Sequence, residues 1–266
     1  METLLTSAEV AELAGVGTTA VKRWADSGAL PCVRTAGGHR RFRRVDVEAL
    51  LQAAPVSSGA WDAWIEALVG QGDTYAIQAR LFEERSHRGS WHGVAHAMGG
   101  LLVEIGRRWE RGQLSVIEEH LASSALQRAL AAASATIPVP LQAPRCLLAA
   151  ADGDEHTLGL SLVELCLREA GWRAEWAGSR TRTRDVLDRL RLGGIRMVSV
   201  SASVAMSDPA VLAEAATEIG AGCREAGALL ALGGEGAWPS DPAYGTRFRA
   251  LPAFYEFARA EAARRA

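Results

Sequence analysis

The sequence predicts a multidomain chain of mixed class, in which two helical segments are followed by an α/β segment. Two linkers of distinct composition support this division. Residues 54–59 read Ala-Pro-Val-Ser-Ser-Gly, and residues 137–144 contain three prolines, which favour an extended connection. The predicted domains are therefore 1–54, 60–137 and 145–266.

Composition limits the functions that the chain can have. Its 266 residues, 48% of them hydrophobic, are sufficient for several packed cores. The formal net charge of -2 does not indicate a generally basic surface, so any nucleic-acid binding must depend on a local patch. The four cysteines show no Cys-x-x-Cys spacing and are interpreted as reduced thiols. Neither a secretory leader nor a membrane span is visible, so we expect a cytoplasmic protein with no membrane partner.

The first segment predicts two short helices around a glycine-containing turn, which is typical of a helix-turn-helix. Residues 6–9 (Thr-Ser-Ala-Glu) fit a capping box that opens the first helix. Residues 15–17 form the turn, and the second helix carries Val21 and Trp24 inward. The residues on its other face, which could enter a major groove, are Thr18, Thr19, Lys22 and Arg23.

An arginine-rich hairpin is predicted at residues 34–44. This stretch contains five arginines and no acidic residue, and two adjacent glycines mark its tip. A charged stretch of this kind can be simply a solvated surface, but its position beside a helix-turn-helix favours a wing that contacts DNA phosphates. The residues expected to contact DNA are Arg34, Gly38, His39, Arg40, Arg41 and Arg43.

The middle segment places a tryptophan and a Glu-His pair close to the junction of two helices. Apolar residues recur at helical spacing up to Trp109, and Gly112 ends that helix. Residues 115–118 (Ser-Val-Ile-Glu) form a capping box that opens the next helix. The polar residues on one side of its first turns are Glu119, His120 and Ser123. Taken singly, such a tryptophan is more readily explained as core, and such a histidine as a structural residue. A structural explanation is likewise favoured for His87, His92 and His96 when each is taken singly.

The last segment alternates apolar runs with helical stretches, which predicts a parallel sheet covered by helices. Residues 146–151, 195–201 and 228–232 are the predicted strands. Ligands bind at the carboxyl ends of strands in open α/β sheets. The loop after the first strand holds His156, which could bind a metal, and Asp154, which could accept the second ring N–H. The residues expected to line a ligand site at these strand ends are Gly159, Ser201, Ser203, Gly233 and Gly234.

Two of these motifs resemble those of known families. Residues 35–42, Thr-x-Gly-Gly-His-Arg-Arg-Phe, resemble the wing of the MerR-type winged helix-turn-helix. The pattern Asp154-x-His156-x-x-Gly159, followed after forty-one intervening residues by Ser201 and then by a Gly-Gly pair, resembles the cobalamin-binding domain of methionine synthase and the base-off mutases.

The middle segment resembles the four-helix cap found in the same cobalamin-binding proteins. The motif of its light-sensing branch is matched by Trp109, followed after nine intervening residues by Glu119 and His120. A MerR-type head, this cap and this α/β domain, in that order, resemble the coenzyme-B12-dependent photoreceptor repressors of the CarH/LitR type.

The resemblance implies a winged helix-turn-helix head, a four-helix bundle cap and a flavodoxin-like (Rossmann-type) cobalamin-binding domain. It implies adenosylcobalamin as the chromophore, with methylcobalamin also possible, and His156 as the lower cobalt ligand. Trp109 would pack on the adenosyl group and Glu119 would hydrogen-bond to it. In the dark a homotetramer would hold duplex operator DNA; light would cleave the cobalt–carbon bond, and the tetramer would dissociate. One departure is Ser203, where the family usually has Leu or Thr.

A second departure is Glu110, which directly follows the motif tryptophan. The best-known members have a histidine there, which becomes the upper cobalt ligand after illumination. A carboxylate, water, His120 or His92 could take that position here. Two other functions stay open: a cobalamin sensor without light control, and a corrinoid carrier for methyl transfer, although a carrier would not need the head. We see no nucleophile-base constellation and do not expect an enzyme.

Overall fold

The structure is a computed structural model whose chain divides into two compact units, Met1–Val56 and Ser57–Ala266. The turn predicted at 15–17 and most of the first linker lie outside the described residues. Those described are 4–14, 18–26, 30–35, 37–44, 46–47, 58–70 and 73–264.

The first unit is a helix-turn-helix with a three-stranded antiparallel sheet. Its elements are β1 (Leu4–Thr6), α1 (Ser7–Ala14), α2 (Thr18–Asp26), β2 (Val33–Arg34) and β3 (Arg40–Arg43), with strand order β1-β3-β2. The predicted capping box is present, since the Thr6 N–H donates to Glu9 Oε2 at 2.7 Å and the Glu9 N–H to Thr6 Oγ1 at 3.2 Å. The core of this unit includes Leu5, Val10, Val21, Leu30, Phe42 and Val47.

The second unit begins with a four-helix bundle. Its helices are α3 (Ser58–Gly70), α4 (Thr74–Arg88), α5 (Trp91–Glu110) and α6 (Val116–Ala135). Ser90 caps α5, and Ser115 and Glu118 form the predicted capping box of α6. These caps satisfy amide groups that a helix leaves unbonded at its N-terminus. The buried side chains of the bundle include Trp64, Leu68, Leu81, Met98, Leu101 and Leu126.

The α/β part that follows has a five-stranded parallel sheet. Its elements are β4 (Arg145–Ala150), α7 (Leu158–Glu169), β5 (Arg173–Gly178), α8 (Thr183–Arg191), β6 (Ile195–Ser201), α9 (Pro209–Ala226), β7 (Leu229–Gly233), β8 (Thr246–Arg247) and α10 (Leu251–Ala263). The strand order β5-β4-β6-β7-β8 corresponds to 2-1-3-4-5, the flavodoxin-like order, and every pairing is parallel. The predicted fold class is therefore confirmed for the helix-turn-helix, the bundle and the parallel sheet.

The bundle packs on the helices of the α/β part within the second unit. Helices α5 and α6 both contact α7, and α5 also contacts α10. Gly99 lies at this contact, because a Cβ added there would be 3.9 Å from the side chains of both Leu162 and Leu251. In the part of the chain that the structure describes, no helix combines the length and apolar character needed to cross a membrane.

Candidate cofactor site

The loop after β4 presents an imidazole beside a buried carboxylate. Side-chain exposure is 69% for His156 and 1% for Asp154. Asp154 Oδ1 accepts the backbone N–H of His156 at 3.0 Å and lies 2.8 Å from its Nδ1. With Nδ1 directed at the carboxylate, Nε2 is the ring nitrogen left to bind a metal, and the carboxylate makes it more basic.

A second loop, after β6, brings Ser203 to the same carboxylate. Its N–H donates to Asp154 Oδ2 at 2.6 Å, and its Oγ lies 3.0 Å from Asp154 Oδ1 and 3.1 Å from His156 Nδ1. We expected Ser203 to line a ligand site with Ser201. In the structure the chain turns from β6 toward the β4 loop, and the Ser203 side chain meets Asp154 and His156, whereas Ser201 lines the cavity described below.

The hydrogen bonds around Asp154 favour its ionised form. Burial alone would raise the pKa of this carboxyl group, but the bonds donated by Ser203 and His156 outweigh burial and hold the pKa below its usual value. Asp154 is therefore ionised at neutral pH, as a hydrogen-bond acceptor for a metal-binding histidine should be.

A cavity of about 360 Å³ lies between the sheet and helices α5, α7 and α10, and we call it the slot. Gly159, Ser201, Gly233 and Gly234 line it, in agreement with where the sequence placed them relative to the strand ends. A Cβ added at Gly233 would meet open space, and one at Gly159 would lie 3.5 Å from Ser201 Oγ. These glycines therefore leave the slot open to a large group.

The tryptophan and the Glu-His pair lie at the end of α5 and the start of α6. Trp109 is 48% exposed, so it is not the core residue that a single tryptophan would suggest, and Glu110 beside it is exposed. Glu119 Oε1 accepts the hydroxyl of Ser123 at 2.6 Å, while His120 Nε2 lies 3.6 Å from Glu119 Oε2 and its side chain is 73% exposed. This end of the bundle offers an exposed ring and polar groups to a ligand.

One hydrogen bond joins the bundle to the histidine loop. Gln127 Nε2 donates to Thr157 Oγ1 at 2.9 Å, and Thr157 directly follows His156. Glu119, Ser123 and Gln127 are spaced four residues apart on α6 and therefore share one face of that helix. The polar face of α6 consequently runs from the bundle motif to the loop motif, which brings together two patterns far apart in sequence.

The structure separates His92 from the bundle motif. His92 begins α5, with Nδ1 2.7 Å from Glu169 Oε2 and its ring stacked on Tyr255 at 3.9 Å between centroids. Trp109 lies seventeen residues further along the same helix, about 25 Å away at 1.5 Å per residue. His92 is thereby removed from the alternatives for an upper ligand.

Sequence reasoning missed the contribution of α5 to the slot. His96, Gly99, Gly100 and Val103 line it, and their spacing places them on one face of the helix. The spacing was visible in the sequence. What the sequence did not reveal was that this face packs on the α/β part.

The wing of the first unit has a defined tip. The N–H of His39 donates to Thr35 Oγ1 at 3.2 Å, the N–H of Gly38 donates to the Thr35 carbonyl at 2.8 Å, and Gly38 has φ +77°. A left-handed backbone favours glycine, so these contacts account for Thr35 and Gly38 of the Thr-x-Gly-Gly-His pattern. Arg40 Nη1 donates to the carbonyl of Lys22 at 3.1 Å and joins the wing to α2.

The predicted DNA-contacting residues have accessible positions wherever their side chains are described. Arg40 and Arg41 are partly exposed, Arg43 pairs with Asp46 at 3.0 Å, and the side chain of Arg23 lies outside the described residues. The exposed members of the set are Thr18, Thr19, Lys22, Arg34, Gly38, His39 and Arg43.

Two family models and two curated proteins match parts of the chain. A family model described as a helix-turn-helix domain matches residues 4–55, and one described as a B12 binding domain matches residues 65–134. The HTH-type transcriptional repressor CarH of Myxococcus xanthus is 27% identical over 214 residues, which cover 66% of this chain and 71% of CarH. The repressor CarA of the same organism is 40% identical over 82 residues, 30% of this chain and 26% of CarA.

A solved structure also resembles this chain in its fold. The monomethylamine corrinoid protein of Methanosarcina barkeri matches with a TM-score of 0.56 at 13% identity, over 77% of this chain and all of that one. At this identity the match shows a shared fold.

A helix-turn-helix domain joined to a B12-binding domain defines a cobalamin-binding, DNA-binding transcriptional regulator. Homology with the two Myxococcus repressors supports a regulator of the CarH type, as the sequence motifs predicted.

Proposed function

We propose that this chain is a light-responsive transcriptional repressor that uses adenosylcobalamin as its chromophore. The observation that carries the proposal is the position of His156 beside Asp154 at the carboxyl end of β4. The strand order reverses between β4 and β6, and ligands of this fold bind at that point.

The residues at this point fit a corrinoid. His156 Nε2 is the available ring nitrogen, Asp154 and Ser203 orient the ring, and the slot beside them is lined by three glycines of the predicted set. We assign His156 as the lower cobalt ligand. The nucleotide tail of the cofactor would occupy the slot, passing Gly159, Ser201, Gly233 and Gly234.

Bound adenosylcobalamin would supply a cobalt–carbon bond that light breaks. On the other face, Trp109 would pack against the adenosyl group and Glu119 would accept a hydrogen bond from it, with His120 and Ser123 alongside. Glu110 would present a carboxylate where related photoreceptors present a histidine. Gln127 holds this face of α6 to the histidine loop through Thr157.

DNA binding would depend on the oligomer. We propose a homotetramer in the dark, whose several heads together bind operator DNA much more tightly than one head can. Dissociation in the light would then release the DNA. In each head, α2 would read the major groove and the arginines of the wing would contact phosphates.

The test uses the full chain, purified in darkness with adenosylcobalamin. Size-exclusion chromatography and a DNA gel shift are performed before and after green light, with hydroxocobalamin-loaded protein as the light-insensitive control. We expect a larger assembly and a DNA complex only in the dark adenosylcobalamin sample. Unchanged assembly and DNA affinity after illumination would overturn light control.

A cobalamin sensor without light control is the second candidate, because Glu110 replaces the histidine of related photoreceptors. It predicts that addition of any cobalamin changes DNA affinity equally in light and dark. The methyl-carrier alternative is disfavoured by the helix-turn-helix domain, for which a carrier has no use.

The His156→Ala variant tests the cofactor assignment separately. Loss of the imidazole should change the visible spectrum of bound cobalamin, because the lower ligand is removed. An unchanged spectrum would contradict the assignment of His156.

A further inference from the structure

The slot has a wall that belongs to the bundle and not to the α/β part. His96, Gly99 and Val103 of α5 line it together with Gly159 and Ser201. Glycine within a helix lowers helix stability by about 1 kcal/mol relative to alanine. A glycine at such a position therefore usually serves packing or ligand binding. A Cβ at Gly99 would make only ordinary contacts, 3.9 Å from Leu162 and Leu251, so packing alone does not demand glycine.

The first turn of α5 is held by a cluster that we call the clasp. Glu169 of α7 accepts the backbone N–H groups of Trp91 at 2.7 Å and His92 at 2.8 Å, and its Oε2 lies 2.7 Å from His92 Nδ1. The His92 ring stacks on Tyr255 of α10. Burial would raise the pKa of Glu169, but these bonds lower it below its usual value, so the carboxylate is ionised at the positive end of the helix.

One helix therefore connects three places. Its first turn is fixed to α7 and α10, its middle lines the slot between those same helices, and its last turn carries Trp109 and Glu110. Gly99 and Trp109 are ten positions apart, which is about 15 Å along the continuous helix. The slot wall and the residues proposed to cover the upper face therefore belong to one continuous helix.

We propose that α5 reads the occupancy of the slot, so that the chain distinguishes complete cobalamin from a corrinoid that lacks the nucleotide tail. Gly99 is a specificity-determining residue in this arrangement, because side-chain atoms beyond Cβ at this position would enter the slot. The inference rests on the proposed cofactor, but it does not depend on light or on DNA.

The experiment compares two corrinoids on the full, cofactor-free chain: hydroxocobalamin and cobinamide, which has no nucleotide tail. Spectral titration gives each dissociation constant, and hydrogen–deuterium exchange follows the peptides that cover residues 96–110. We expect hydroxocobalamin to bind at least about tenfold more tightly and to slow exchange across these residues. Cobinamide should leave their exchange as in the cofactor-free protein.

Two valine variants on α5 provide matched controls. Gly99→Val should weaken hydroxocobalamin binding at least about tenfold and leave cobinamide binding unchanged, which also shows that the variant is folded. Gly106→Val introduces the same residue where an added Cβ meets open space, away from the slot lining, and should bind both corrinoids like the wild type.

Three results would count against the proposal. Equal protection of residues 96–110 by the two corrinoids would overturn it, as would equal weakening of both by Gly99→Val. Binding of neither corrinoid by the wild type would overturn the cofactor assignment and this inference with it, whereas loss of light control alone would leave the inference standing.

Discussion

The backbone N–H of Ser203 lies 2.6 Å from Oδ2 of Asp154, so the loops after β4 and β6 meet at one carboxylate. The hydroxyl of Ser203 also lies 3.1 Å from Nδ1 of His156. The residue that departs from the related cobalamin domains is therefore in direct contact with the candidate metal ligand.

Ser203→Ala removes the hydroxyl group and keeps the backbone bond. We expect the free energy of unfolding to fall by about 1 kcal/mol, the usual contribution of one hydrogen bond. We also expect weaker coordination by His156, seen as an increased fraction of cobalamin without histidine ligation in the visible spectrum. Ser207→Ala, at an exposed position in the same loop, is the control. Identical spectra for the two variants would show that the hydroxyl does not position the histidine.

The charge of Asp154 gives the fold a defined response to acid. Its pKa is lower in the folded state than the value of about 3.9 for an exposed Asp. Such a group stabilises the fold above the unfolded-state pKa, and this stabilisation is lost as the pH falls toward the folded-state pKa. Thermal unfolding of the cofactor-free protein should therefore show a fall in Tm below about pH 4 that is smaller in Asp154→Asn. Asp152→Asn, an exposed neighbour in the loop, should retain the wild-type pH profile.

Substitutions at Gly234 and Gly153 distinguish backbone strain from steric overlap as the cost of replacing a glycine. Both have a left-handed backbone, with φ +85° and +84°. A Cβ at Gly153 meets nothing within 4 Å, whereas one at Gly234 would overlap the carbonyl oxygen of Ala202. Gly153→Ala should cost about 1 kcal/mol in the free energy of unfolding, from backbone strain alone, and Gly234→Ala should cost more. Denaturant unfolding of the cofactor-free variants measures both, and equal costs would contradict the close approach.

Arg40 and Arg41 are the wing residues whose removal should weaken DNA binding. Each phosphate contact that is lost should reduce the slope of log affinity against log salt by about one. The double variant Arg40→Ala/Arg41→Ala should therefore bind DNA more weakly and with a flatter salt dependence. Arg191→Ala, an exposed arginine of the second unit, is the control for charge alone. Unchanged slopes in the double variant would place the phosphate contacts elsewhere.

The central strands could be predicted from the sequence because burial on both faces produces a continuous apolar run. Residues 195–201 were predicted with the bounds that β6 has. The strands at the two edges were missed for the opposite reason. β5 carries exposed and charged residues, including Arg173 and Glu175, and β8 has only two residues. Neither stretch has a residue pattern that distinguishes a strand from a loop.

The candidate site was predictable where a motif lies within one loop. Asp154 and His156 are two residues apart, so their contact follows from local geometry. The contacts of Ser203 with Asp154 and of Gln127 with Thr157 join residues forty-nine and thirty positions apart. They depend on where two loops and one helix meet, and no residue pattern encodes that before the core has formed.

The clasp also determines where this protein can be divided. The proline-rich segment at 137–144 separates the helical part of the sequence from the α/β part. A truncation there would be the obvious choice for isolating a cofactor-binding fragment. Such a cut would remove the amides and imidazole that bind the Glu169 carboxylate, uncover the sides of α7 and α10 on which α5 packs, and leave the start of α5 without its anion. The smallest fragment expected to retain a native slot therefore begins before α3 and ends after α10, with the linker left inside it.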